Sequence, residues 1–423
     1  MIFHPARMGL LNKRALVRQL QKSGIASRAV LARSLGMSQP TAGKIVDELI
    51  ADNILEEVDA VEAGDGNGNG ATRLGRPGRQ LQLNRSQPGF LGIHLGIQET
   101  SLAELPLGDA DEDRWRHSFR NPATKSQPVA QWEAELREAA KKLDSKKFLG
   151  VLLSVPGIVD EPANKILFSP NIHWSEGQDL PAVIRRVWNL PALVVQEERV
   201  VALGHHFNNP EDENFLLVDF GEGVGGAAIV GGKPFASPLP ISGELGHTPA
   251  LGNHRRCGCG ATGCVETLVS TRGLIESFSA AHPKSKKTWA ALGDHIAATG
   301  LEPWLTQSLD AAAVAICAAL NVLGLRQVVI TGSLAELPPA VLDYVSRSVQ
   351  NGAMWARFGS IECVGAPRCR AAGLVAIGID RLVVPETGDE LDSKLKLSRG
   401  ETSRAKPSKL NPATASKNEI YIS

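Results

Sequence analysis

Three cysteines and one histidine fall at the spacing His247-x9-Cys257-x-Cys259-x4-Cys264. No other stretch constrains the fold as strongly. Cys3His is the composition of a closed tetrahedral zinc site, with four protein ligands and no open position for a catalytic water. Glycines at 258, 260 and 263 let the backbone turn sharply enough to aim three sulfurs at one point. Two carboxylates, Glu244 and Glu266, flank the ligands and are not needed to complete the metal's shell. The remaining cysteines, Cys317, Cys363 and Cys369, are scattered. That is no disulfide framework, and a reducing compartment is expected.

The first 85 residues hold 12 Lys/Arg against 8 Asp/Glu, a mildly basic segment in a chain of zero formal net charge. Leu11, Ala15, Leu16 and Leu20 form a helical apolar stripe, so residues 10–36 are read as two short helices. Ser27 is a fitting N-cap for the helix that ends before Gly36, and Ser38 caps a third helix with Pro40 in its first turn. Helix, glycine turn, helix is the helix-turn-helix pattern. Two strand-like runs follow, Ile54–Glu62 and Arg79–Asn84, separated by a Gly/Asn-rich insert. Three helices and two strands predict a winged helix-turn-helix with a long wing loop. Its recognition helix would present Ser38, Gln39, Thr41, Ala42 and Lys44 to bases. Arg14, Arg28 and Arg33 are phosphate-contact candidates, and Arg76 in Gly75–Arg79 suits a narrow minor groove.

From Phe90 the texture changes to short apolar strands alternating with helices, which predicts an α/β class. Strand candidates are Phe148–Ser154, Ala192–Gln196, Phe215–Asp219 and Gln327–Ile330, and Ala311–Leu323 reads as a buried helix. Residues 386–423 are rich in Ser, Thr, Lys and Pro, and are expected to form a disordered tail. No run approaches 18 apolar residues and the N-terminus lacks a secretory core, so a cytoplasmic location and no membrane partner are expected.

The pattern GELGH followed by CxCGxxGCxE, with a helix-turn-helix ahead of it, resembles the ROK family of repressors, open reading frames and sugar kinases. The resemblance covers residues 10–385. It implies a winged head over residues 1–86 and a two-lobed actin/hexokinase-like domain over residues 87–385, with a sugar cleft between the lobes. It implies a structural Zn2+ held by His247, Cys257, Cys259 and Cys264. It carries the sugar contacts onto Asn171, Gln196, Glu197, Glu244, His247 and Glu266. Carboxylates and amides suit a polyol, because each can bridge neighbouring hydroxyls. His247 would bind metal through one ring nitrogen and face the sugar through the other.

The chain departs from the family's kinases where phosphate is handled. Their Asp-x-Gly-Gly-Thr loop corresponds here to His94-Leu-Gly96-Ile97-Gln98, followed by Glu99. Ile97 adds bulk where a phosphate needs close backbone approach, and Glu99 adds like charge. The catalytic-base position is Glu197, one methylene longer than Asp, so a catalytic role is not expected. The Gly-rich Asp219–Gly226 loop persists, whereas the family's later Gly-Gly reads Gly332-Ser333. The expected function is therefore a sugar-responsive regulator, most simply a repressor. It would bind a double-stranded DNA operator as a homodimer or homotetramer, with a monosaccharide effector. An active sugar kinase that also binds DNA, or a repressor with a degenerate pocket, are the alternatives.

Overall fold

A computed structural model of the chain describes residues 5–59, 79–122, 126–143 and 145–385. The predicted tail, the Gly/Asn-rich insert and Arg76 lie outside these residues.

The head is built from α1 (Pro5–Ser23), β1 (Ala26–Ser27), α2 (Arg28–Ser34), α3 (Gln39–Ala51), β2 (Leu55–Val58) and β3 (Gln80–Leu83). Both expected caps form. Ser27 Oγ accepts the Val30 N–H and Ser38 Oγ the Thr41 N–H, satisfying helix donors that lack an internal partner. Gly36, at φ +62°, makes the turn between α2 and α3. The strands pair in the order β1-β3-β2. The two helices expected before Gly36 form as α1 and α2, but α1 is 19 residues long rather than short. Its buried stripe is Leu16, Val17 and Leu20, while Leu11 is exposed.

Lobe one contains β4 (Pro88–Leu95), β5 (Glu99–Pro106), β6 (Trp115–Arg120), α4 (Pro128–Ala140), β7 (Val151–Val155), the small hairpin β8 (Ile158–Asp160) and β9 (Lys165–Phe168), α5 (Leu180–Trp188) and β10 (Ala192–Gln196). Its sheet order is β10-β7-β4-β5-β6. Helix α6 (Glu197–Asn208) leads into lobe two. That lobe comprises β11 (Phe215–Phe220), β12 (Val224–Val230), β13 (Lys233–Pro234), α7 (Glu266–Val269), α8 (Thr271–Ala281), α9 (Trp289–Thr299), α10 (Pro303–Leu323), β14 (Gln327–Gly332), α11 (Pro339–Gly352) and β15 (Glu362–Gly365). Its sheet order is β13-β12-β11-β14-β15. In each sheet the first three strands form an antiparallel meander, the fourth runs parallel to the first, and the fifth parallel to the fourth. One connectivity is thus used twice. The buried strands are almost wholly apolar, as sheets covered on both faces require.

Helix α12 (Arg370–Gly378) crosses α6 between the lobes. A Cβ on Gly204 would lie 1.8 Å from the Cys369 carbonyl oxygen, and one on Gly373 1.8 Å from that of Val200. Only glycine allows two helices to touch backbone to backbone there. A π-helical turn, Ile379–Val383, carries the chain from α12 to the head. Leu16, Leu20 and Leu49 of the head share one apolar cluster with Ile379, Leu382 and Val384. Helix α10 is long and apolar enough by composition to cross a membrane, but half of it is buried inside the fold.

Candidate functional site

The four ligands expected from spacing converge. A short 3-10 turn, Leu245–His247, and the bridge Pro249–Cys264 bring His247 beside the cysteine loop. His247 Nδ1 lies 3.5 Å from Cys257 Sγ, and Cys259 Sγ lies 3.7 Å from Cys264 Sγ. All four ligating atoms fall within 4.8 Å of one another. Tetrahedral sulfurs around zinc lie ~3.8 Å apart, given Zn–S bonds of ~2.3 Å. The donor set and its spacing fit such an ion. Burial raises the Cys257 and Cys264 thiols, so a cation must displace their protons to bind.

His247 turns its other nitrogen the opposite way, with Nε2 3.6 Å from Glu244 Oε2. Gln196 Nε2 donates to Glu244 Oε1 at 3.4 Å and to the Ser242 carbonyl at 3.3 Å. Gln196, Glu244 and His247 therefore form one chain of polar contacts ending at the Cys3His cluster. Burial raises the Glu244 carboxyl, His247 opposes that rise, and Glu266 adds to it. Glu266 Oε2 accepts the Val224 N–H at 3.0 Å. A Cβ on Gly223 would lie 3.2 Å from that oxygen and 3.8 Å from Asn171 Nδ2, so Asn171 and Glu266 share one wall. That wall lines a cleft of about 280 Å³ together with Glu222, Arg256, Gly258 and Arg272.

Glu197, next in the chain to Gln196, borders this group but makes its own contacts elsewhere. Arg370 donates to its Oε1 through Nε at 2.8 Å and also through Nη2, and His94 Nε2 lies 3.8 Å away. Burial opposes ionisation of Glu197, but Arg370, His94 and Arg368 prevail and hold it at about 2. Burial lowers His94 to about 4, so it is neutral near pH 7 and its contact with Glu197 is not an ion pair there. The neighbouring Glu198 behaves oppositely. Burial, with Glu197 and Glu244 nearby, pushes its carboxyl well above the usual range. Its Oε2 is buried without a protein partner.

The space beside the second Gly-rich turn is filled by the protein itself. Arg368 pairs with Asp219 through two parallel hydrogen bonds of 2.6 and 2.9 Å, and Thr331 Oγ1 donates to the same carboxylate at 2.7 Å. The guanidinium lies 2.2 Å from where a Cβ would sit on Gly221, and 2.6 Å from that on Gly332. On lobe one, Asn121 donates to the Gly96 carbonyl at 2.6 Å, tying down the β4–β5 turn. Sequence reasoning did not single out Arg368 or Arg370. The signal was available, since Arg-x-Arg opens a helix of otherwise small and apolar residues.

On the head, Ser38, Gln39, Thr41 and Lys44 are exposed along the first turns of α3. Ala42 is a correction. It is 1 % exposed and packs inside with Ile45, Val46 and Leu49, so it cannot reach a base. Arg14 is also corrected. It is buried, donates to the Val384 carbonyl at 2.7 Å and pairs with Asp380 at 3.2 Å. Arg18 pairs with the same Asp380. Arg28 bridges Asp47 and Glu57, and Arg79 also holds Glu57, bracing the wing strands. Arg33 remains exposed.

Residues 90–369 match the ROK family, and the chain belongs to it. Among curated relatives, a xylose repressor of Caldicellulosiruptor bescii is 25 % identical over 283 residues, covering 63 % of this chain and 65 % of that protein. The xylose repressor of Bacillus subtilis is 24 % identical over 379 residues, covering 88 % of this chain and 95 % of that one. Among solved structures, a ROK family transcriptional regulator, a homologue of the Escherichia coli MLC protein, superposes with a TM-score of 0.69 at 20 % identity, covering 93 % of this chain and all of that one. A ROK family glucokinase from Streptomyces griseus, solved with glucose and AMPPNP, superposes with a TM-score of 0.55 at 21 % identity over 68 % of this chain and 97 % of that one. At such identities the two structures establish the fold: an N-terminal head on a two-lobed ROK body.

Proposed function

We propose that this chain is a sugar-responsive DNA-binding transcriptional regulator, acting as a repressor of carbohydrate genes in the cytoplasm. The winged head, residues 1–86, binds an operator through Ser38, Gln39, Thr41 and Lys44, with Arg76 as the minor-groove contact expected from sequence. The two-lobed body, residues 87–385, senses a monosaccharide through Asn171, Gln196, Glu244, His247 and Glu266. Glu197 borders that group and is held by Arg370. A structural zinc on His247, Cys257, Cys259 and Cys264 keeps the Glu244 and Glu266 segments in register. The assembly is a homodimer or homotetramer, matching the two-fold symmetry of most operators. The names of the curated relatives favour repression, and D-xylose is the first effector to test.

The observation that carries this reading is the path of α12. It starts at Arg370 on Glu197, between the lobes, and its continuation ends at Asp380 and Val384 on α1 of the head. A sugar that prefers one lobe arrangement can thereby bias the head, because only differential affinity shifts an equilibrium. Phosphoryl transfer needs open phosphate cradles and a free base. Here Arg368 fills one cradle and Arg370 holds the base position. Calorimetric titration with D-xylose, D-glucose and N-acetylglucosamine, alongside an assay for sugar-dependent ATP hydrolysis, tests the proposal. Saturable sugar binding without turnover supports it. Turnover abolished by Glu197→Ala would overturn it.

A further inference from the structure

The end of α8, the body of α9 and the start of α10 in lobe two meet at a point that neither the proposed sugar contacts nor the Cys3His cluster uses. His282 caps the C-terminus of α8, His295 lies in α9, and Glu302 immediately precedes α10. His282 Nε2 is 2.7 Å from Glu302 Oε2, and His295 Nε2 is 3.0 Å from the same oxygen. Trp304 Nε1 donates to that oxygen as well, at 2.7 Å. The imidazoles are tilted at 50° to each other with ring centroids 4.2 Å apart, and the Phe278 ring centroid lies 5.2 Å from each. All three ligating atoms fall within 4.8 Å of one another and the side chains are partly buried.

A carboxylate oxygen offers about two lone-pair directions; with Trp304 donating to Glu302 Oε2, two further imidazole nitrogens within 3.0 Å oversubscribe it if both donate and repel it if they do not. A cation among the two imidazoles and the carboxylate removes the conflict. Each histidine then coordinates through an unprotonated Nε2. Trp304 alone remains to donate to the carboxylate, the kind of hydrogen bond that supports ligating groups. The distances agree, because nitrogen and oxygen ligands at ~2.1 Å from a metal lie ~3.0 Å apart across an octahedral edge. The geometry points to a second metal site, formed by His282, His295 and Glu302, that takes a first-row divalent cation of the Zn2+ or Ni2+ class. Two imidazoles exclude Mg2+ and Ca2+, which favour all-oxygen shells. The three protein ligands occupy one face and leave the remaining positions to water. The bound ion clips the end of α8 to α9 and to the start of α10. The spacing His-x12-His-x6-Glu forms no compact motif, so only the fold reveals it.

The test is a Co2+ titration of the full-length chain after removal of metal by chelation. Cobalt on the Cys3His cluster gives intense thiolate charge-transfer absorption, and cobalt on nitrogen and oxygen ligands does not. Wild type should bind two Co2+ per chain. His295→Ala and Glu302→Gln should each bind one, with the thiolate bands unchanged. Glu302→Gln keeps an acceptor for Trp304 and guards against a folding defect in the alanine variant. One equivalent in the wild type, or two retained in either variant, overturns the site. Sugar and DNA binding do not enter this readout, so its outcome is independent of the regulatory reading.

Discussion

At the scale of single residues, the polar group around Glu244, proposed to meet sugar, and the pair formed by Glu197 and Arg370 have opposite chemistry. Glu244 is reached by Gln196 and His247 but remains partly exposed, so its oxygens are available to hydroxyls. Glu244→Gln should weaken monosaccharide binding roughly 10- to 100-fold by calorimetry, the worth of a hydrogen bond to a charged acceptor. An unchanged Kd would remove Glu244 from the site. His94 supplies a pH signature. Its folded value of about 4 lies below the unfolded value near ~6.5, so its contribution is present above ~6.5 and is lost as pH falls toward 4. Between pH 7 and pH 5 wild type should lose roughly 1–2 kcal/mol of unfolding free energy relative to His94→Gln. Denaturant titrations at the two pH values read this, and parallel losses would contradict it. Part of this chemistry was legible in advance. Residue type and spacing sufficed to anticipate that His247, Cys257, Cys259 and Cys264 converge. Ala42 was misread although it shares the three-and-four spacing of Ile45, Val46 and Leu49, which marks the buried face of α3. Glu197 could not be placed, because its partner Arg370 lies 173 residues away.

At the scale of elements, α12 carries the account. Its first turn faces both lobes, since Glu112 of lobe one accepts the Ala371 N–H at 2.7 Å while Arg370 holds Glu197 on α6. Its far end reaches the head through Asp380, which pairs with Arg14 and Arg18. Asp380→Ala should leave the sugar Kd unchanged and cut the sugar-induced change in DNA affinity severalfold, consistent with coupling free energies of ~1–3 kcal/mol. Full coupling in that variant, measured by fluorescence anisotropy on labelled DNA, would exclude this route. The helices and caps of the head could be read locally, because caps and stripes are short-range signals. The Arg18–Asp380 pair spans 362 residues and leaves no local trace beyond basic side chains along α1. The repeated sheet connectivity was likewise invisible, since pairing order depends on crossovers rather than on any strand's own sequence.

At the scale of the whole molecule, the Cys3His cluster is where the proposed reading joins stability to sensing. Its His247 touches Glu244, and its Cys257 lies 3.5 Å from Glu266 Oε1. Removing metal with a chelator should lower the melting temperature and weaken sugar binding by about tenfold together, because the binding side chains must then be ordered at the ligand's expense. Metal-free protein with normal stability and sugar affinity would refute the scaffolding role. In the two-lobed body Arg368 pairs with Asp219 and Arg370 with Glu197, and the head exposes the first turns of the capped helix α3. The central claim is that sugar in the cleft controls DNA binding. The most direct measurement selects genomic fragments on the purified protein, labels the tightest binder, and follows its affinity as D-xylose, D-glucose and N-acetylglucosamine are added. The account predicts that one sugar shifts DNA affinity by about tenfold or more, and that Glu244→Gln raises the sugar concentration needed for that shift roughly 10- to 100-fold while leaving sugar-free DNA binding intact. DNA affinity unmoved by a sugar that saturates the calorimetric site would contradict it.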